Sequence, residues 1–155
     1  MSLQEYVGDP HVDVEAMQAK FRELARERGL VLQPTDMVYN TRLCHELRAW
    51  AQEHHAMGTS FEQRAFAAYF AEGRNLGRAS VLLDLVQELG LPREEAHEVL
   101  KARTFRAMVD RDLAKAQALG IMAAPAFVAH GKRLVGAHPL NVLRDFAHGR
   151  ALVGL

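Results

Sequence analysis

The chain has 155 residues, 49% of them apolar and 25% charged, enough for one domain or a small domain with an insertion. Lys+Arg and Asp+Glu both number 19, so the basic surplus that a nucleic-acid partner wants is absent. The single cysteine, Cys44, excludes an intrachain disulfide and any multi-cysteine metal site. No apolar run approaches the roughly 18 residues of a membrane span, and no charged-then-apolar export signal opens the chain. The expectation is a cytoplasmic protein with no membrane partner.

Helical patterns fill the first two thirds. Val14, Met17, Phe21, Leu24 and Ala25 share one face, with Asp13 placed to cap the start and Gly29 to end it. Leu30-Val31-Leu32-Gln33 reads as short and extended until Pro34 and Asp36 break it. Asn40 or Thr41 caps a second helix with Leu43, Leu47, Trp50 and Ala51 inward, running to about Gly58. Phe61, Ala65, Phe66, Tyr69 and Phe70 form a third, whose aromatics read most simply as core. Val81, Leu82, Leu85, Val86 and Leu89 form a fourth after Gly73 and Gly77. Pro92 starts a fifth, with Glu94 and Glu95 matching the dipole of its first turn. Thr104 opens a sixth, with Phe105, Met108, Val109, Leu113, Ala116 and Leu119 inward. Gly120 stops it. Two short strands follow, around Ala126-Phe127-Val128-Ala129 and Leu134-Val135, joined by a Gly-containing turn. Pro139 starts a last helix with Leu140, Leu143 and Phe146 inward.

A two-stranded hairpin alone is marginal in water, so Phe127, Val128, Leu134 and Val135 must pack on something. The outer edge of the Ala126–Ala129 strand stays unpaired, which predicts a homodimer through that edge or an interchain helix over the hairpin. Cys44, near the start of its helix, has two readings: a thiolate favoured by the helix opening, or a small buried hydrophobe. His45 is a sequence neighbour and does not face it, so the core reading is preferred and Cys44 stays only a candidate reactive thiol. No catalytic residue is assigned. His45-Glu46 begins like a His-Glu-x-x-His zinc motif, but Ala49 stands where the second ligand would be, and the other histidines are scattered. No metal is expected. Pro125, taken alone, reads as an ordinary trans proline beginning a strand.

Three segments carry a family resemblance. They are Tyr39-Asn40-Thr41-Arg42-Leu43-Cys44-His45-Glu46-Leu47, then Ala67-Ala68-Tyr69-Phe70-Ala71-Glu72-Gly73-Arg74-Asn75-Leu76, and last Ala114 to Val128 with Gly136-Ala137-His138-Pro139. In this order and spacing the chain, from about residue 13 to 147, resembles the DsbA-like thioredoxin superfamily. Its nearest likeness there is to FrnE-like dithiol oxidoreductases and their relatives, the glutathione-dependent 2-hydroxychromene-2-carboxylate isomerases. Ala124 stands where that pattern usually has Val or Thr, and Ala137-His138 replaces Ala-Gln.

The resemblance implies an α+β fold, mostly α. Residues 1–119 would be the helical domain that such proteins insert, and residues 120–155 the C-terminal part of a thioredoxin-like domain. It implies a cis bond before Pro125, with the N–H and C=O of Ala124 turned outward to pair with a substrate, a protein or a small thiol. It also implies a first strand and a Cys-x-x-Cys helix, which these residues lack, so the expectation is a shortened chain inactive in dithiol exchange. Two alternatives stay open: a non-enzymatic self-associating or peptide-binding module, or a fragment of a glutathione-dependent isomerase. No cofactor is expected, except glutathione in the isomerase reading.

Overall fold

The structure, a computed structural model, describes residues 1–151. The chain divides into two compact units, Met1–Val109 and Asp110–Leu155.

The first unit holds α1 (Leu3–Val7), α2 (Val14–Arg26), α3 (Arg42–His55), α4 (Gly58–Phe66), a π-helical turn (Ala67–Ala71), α5 (Ala79–Glu88), α6 (Arg93–Ala102) and the start of α7 (Arg106–Ala118). The apolar stripe of α3 organises it. Leu47, Trp50 and Ala51 are fully buried there, together with Phe61 of α4 and Leu82, Leu85 and Val86 of α5. Each large side chain so buried contributes about 1.5–3 kcal/mol. Asp13 caps α2 as expected, its carboxylate accepting from the N–H of Ala16 at 2.9 Å. Asn40 Oδ1 accepts from the N–H of Arg42 at 3.0 Å, where α3 begins.

Several features depart from the sequence reading. A short α1 precedes the first expected helix, opened by a capping box in which Ser2 and Glu5 each accept the other's backbone N–H. The stretch after Gly29, read as short and extended, is irregular in agreement with that reading, and its Gln33 N–H donates to the carbonyl of Phe70 at 2.7 Å. The third expected helix does not continue as α past Phe66. At the π turn the Glu72 N–H reaches back five residues to Ala67 C=O, at 3.2 Å. Phe66 and Phe70 are not core: they stack on each other with ring centroids 5.8 Å apart and lie 55% and 41% exposed. Of that run only Phe61, Ala65 and Ala68, at i, i+4 and i+7 on one helix face, are buried, and Phe66 and Phe70 fall off that face.

The second unit begins at Asp110, within α7, and continues through β1 (Ala126–Ala129), β2 (Lys132–Val135) and α8 (Leu140–Ala147). The strands pair antiparallel, Ala126 opposite Val135 and Ala129 opposite Lys132. His130 and Gly131 make the two-residue turn at φ 52° and 69°, the left-handed pair that matches strand twist. Side chains alternate, so Phe127 and Leu134 share one face and Val128 and Val135 the other. Leu134 is buried, as is Phe146 of α8, whereas Val128 and Val135 are about half exposed. Leu113, Leu119 and Leu140, expected to face inward, are exposed. The helical pattern names a face, but in this unit two strands and a short helix are too few to cover it. The architecture is α+β, mostly α.

Candidate functional site

The hairpin has two unlike edges. Pro125 C=O accepts from the N–H of Gly136 at 2.8 Å, so this pair sits at a hydrogen-bonded position. Alternation along an antiparallel ladder puts Phe127–Leu134 and Ala129–Lys132 at the next such positions. The N–H and C=O groups of Ala126 and Val128 therefore point away from β2. Ala124 precedes them in the chain. It is exposed, and among the described residues no hydrogen bond engages its backbone. The Ala124–Pro125 bond is cis. Met122 to Ala129 carries no charged side chain, so among the described residues the edge is a bare row of backbone donors and acceptors.

The β2 edge is occupied. His138 Nε2 lies 2.9 Å from Val135 C=O, so the ring donates from that nitrogen. Lys132 and Arg133 add charge along the strand. Arg133 also reaches the end of α7, its guanidinium donating to the carbonyls of Leu119 at 2.8 Å and Gly120 at 2.6 Å. Gly120 sits at φ 66°, and a Cβ there would collide with the Arg133 guanidinium. At the other end, His130 Nε2 meets Ala147 C=O at 3.0 Å and ties the turn to α8.

Cys44 belongs to the first unit. It lies in the apolar core of α3, 8% exposed, and burial, then the Glu62 charge, push its thiol up to about 11. At neutral pH it is a protonated thiol in an apolar setting, the opposite of an activated nucleophile. His45 is exposed on the same helix. Among the described residues no three His, Cys, Asp or Glu side chains converge as a metal set.

Two polar groupings in the helical unit escaped the sequence reading. Glu46 is fully buried, and its carboxylate accepts from Arg103 Nε at 2.9 Å and Nη2 at 2.6 Å, with Arg42 Nε at 4.0 Å. This pairing holds the Arg103 guanidinium above its usual range. The signal was available: Glu46 lies between Leu43 and Trp50 on the inward stripe, where a carboxylate must find a cation. The second grouping is Trp50, His55 and Glu95. The Trp50 indole N–H donates to Glu95 Oε1 at 2.8 Å, and the two rings lie 4.8 Å apart.

The family model of the DSBA-like thioredoxin domain matches residues 6–147. Two similar solved structures are of one protein. The first, cytosolic disulfide reductase DsbM from Pseudomonas aeruginosa with GSH, is 24% identical at TM-score 0.53, covering 74% of this chain and 56% of that one. The second, the same reductase from Pseudomonas aeruginosa, is 21% identical at TM-score 0.59, covering 90% of this chain and 72% of that one. The chain thus spans just over half the length of the first. No curated protein matches. Likeness at these identities carries the fold, and no helix among the described residues is long and apolar enough to cross a membrane. With three motifs in order, a hairpin entered through Pro125 and a family match over nearly its whole length, the chain belongs to the DSBA-like thioredoxin domain family.

Proposed function

We propose that this protein serves thiol–disulfide chemistry in the cytoplasm as a substrate-presenting body, with Ala124, Ala126 and Val128 receiving an extended thiol- or disulfide-bearing chain. What supports this most is the uncharged, unpaired β1 edge directly beside Pro125, in a chain of the DSBA-like family. Reduction of a disulfide needs one thiolate to attack a sulfur and a second to resolve the mixed disulfide. These residues offer one buried cysteine. The exchanging thiols therefore belong to another polypeptide segment or to a small thiol such as glutathione, and the chain alone is inactive in dithiol exchange.

The test is an NMR titration of the labelled protein with oxidised glutathione and with a short cysteine peptide. Shifts confined to the amides of Ala124, Ala126 and Val128 are expected; unmoved amides there at millimolar ligand would sink the reading. An insulin-reduction assay on the chain alone should show no turnover above buffer. Clear turnover would contradict an inert Cys44.

A second reading is self-association, favoured by the half-exposed Val128 and Val135 on one face of the hairpin. The same bare edge would pair with its copy across a two-fold axis. Light scattering at micromolar concentration should then give a dimer that V128K dissociates; a monomer throughout removes this reading.

A further inference from the structure

We propose that His55 is a proton-operated latch between the end of α3 and the start of α6, closing on Glu95 when its ring is charged. His55 Nε2 is shut off from solvent and has no hydrogen-bond partner. The oxygen it faces, Glu95 Oε1, is 3.7 Å away. That is too long for a hydrogen bond, and a neutral ring gains little there. A protonated ring gains a charge-assisted bond, which closes the gap by about 1 Å to the usual N–H···O distance.

The two side chains stand at opposite kinds of helix end. His55 is the last residue of α3, where the helix dipole welcomes a cation, and Glu95 is in the first turn of α6, where it welcomes an anion. Trp50 joins them: its N–H already holds the same Glu95 oxygen, and its ring meets the His55 ring at 4.8 Å and 71°. On α6, Arg93 is paired with Asp84, and His97 and Lys101 lie against Glu98. His54, with its ring 6.5 Å from that of His55, packs edge-on against Phe105. Glu46 and Arg103 are engaged with each other, and Glu62 of α4 is paired with Arg48. Glu95 is thus the carboxylate that answers His55.

Trp50 is the only tryptophan, so its fluorescence reads the latch directly. Between about pH 8 and pH 5, where histidine changes charge, wild-type emission should fall in one step, and H55Q should lose that step. A step that persists in H55Q, or its absence in wild type, overturns the proposal. A cycle of urea midpoints for wild type, H55Q, E95Q and the double variant adds a second measurement. The two changes should be non-additive at pH 5 and additive at pH 8; additivity at both refutes the latch. Should H55Q fail to fold, NMR on wild type decides. The Trp50 indole N–H and the His55 ring protons should move with one common midpoint, and separate midpoints would overturn it.

Discussion

Replacing Arg103 tests whether the helical unit is held around a buried charge. Glu46 is fully enclosed, and its carboxylate takes two short bonds from Arg103, with Arg42 Nε only at 4.0 Å as a remaining cation. R103A leaves an ionised group with no close partner in an apolar interior, which costs about 3–5 kcal/mol. Arg103 also sits in left-handed backbone at φ 55°, where it caps α6. R103G therefore recovers about 1 kcal/mol relative to R103A, because glycine takes this conformation without strain. E46Q is milder, about 1–2 kcal/mol, since the amide oxygen still accepts and the half-exposed guanidinium keeps water. The diagnostic is the double variant E46M/R103A, which removes both charges and should be more stable than R103A alone. Urea unfolding followed at Trp50, in the same core as Glu46, should show R103A shifted by about 2 M, with the order R103A, R103G, E46Q in falling severity. If R103A costs under about 1 kcal/mol, or the double variant is less stable than R103A, the reasoning fails.

Two further outcomes follow from the geometry. Cys44 should resist a thiol-reactive dye in the native protein at pH 8 and react at once in denaturant. Its folded value of about 11 lies above the ordinary 9.0, so the unfolded chain releases the proton first. Its contribution to stability is therefore full below pH 9 and is lost as the pH rises through about 11, a loss that C44A should abolish. R133A removes two charge-assisted bonds to the end of α7 and should cost the second unit about 1–3 kcal/mol. Faster amide hydrogen exchange at Gly120 and Ile121 is the readout; unchanged protection there would show that the guanidinium caps nothing.

Much of the helical unit is legible from spacing, because α3 and α5 each bury a stripe and the stripe is what periodicity encodes. Asp13 and the His130-Gly131 turn are legible for a different reason: the Asp13 carboxylate caps a free N–H of α2, and glycine suits the left-handed backbone at position 131. Phe66, Phe70, Leu113, Leu119 and Leu140 mislead because an apolar face is written into a sequence whether or not anything covers it. The π turn carries no composition signal, since one extra residue per turn costs no particular side chain. Glu46 is singled out in the sequence reading only through the failed His-Glu-x-x-His pattern; its partner, Arg103, is too far along the chain for any local pattern to join them. At the hairpin, Ala124 is informative only through its backbone. Its methyl group says nothing, while its position beside Pro125 and the β1 edge is what carries the presenting role proposed for it.

The widened turn at Ala67–Ala71 has a consequence for sequence changes in this region. A π turn accommodates one residue more than a regular α-helix, so removing a single residue there would let the coil tighten into ordinary i→i+4 bonding. Everything beyond it would keep its facing, because the widened turn is what absorbs the extra residue. Arg74, which holds Glu88 at 2.8 Å, would stay within reach of that carboxylate. The same deletion inside α3 or α5 would instead swing the rest of the helix by about 100° and take its buried stripe off the core.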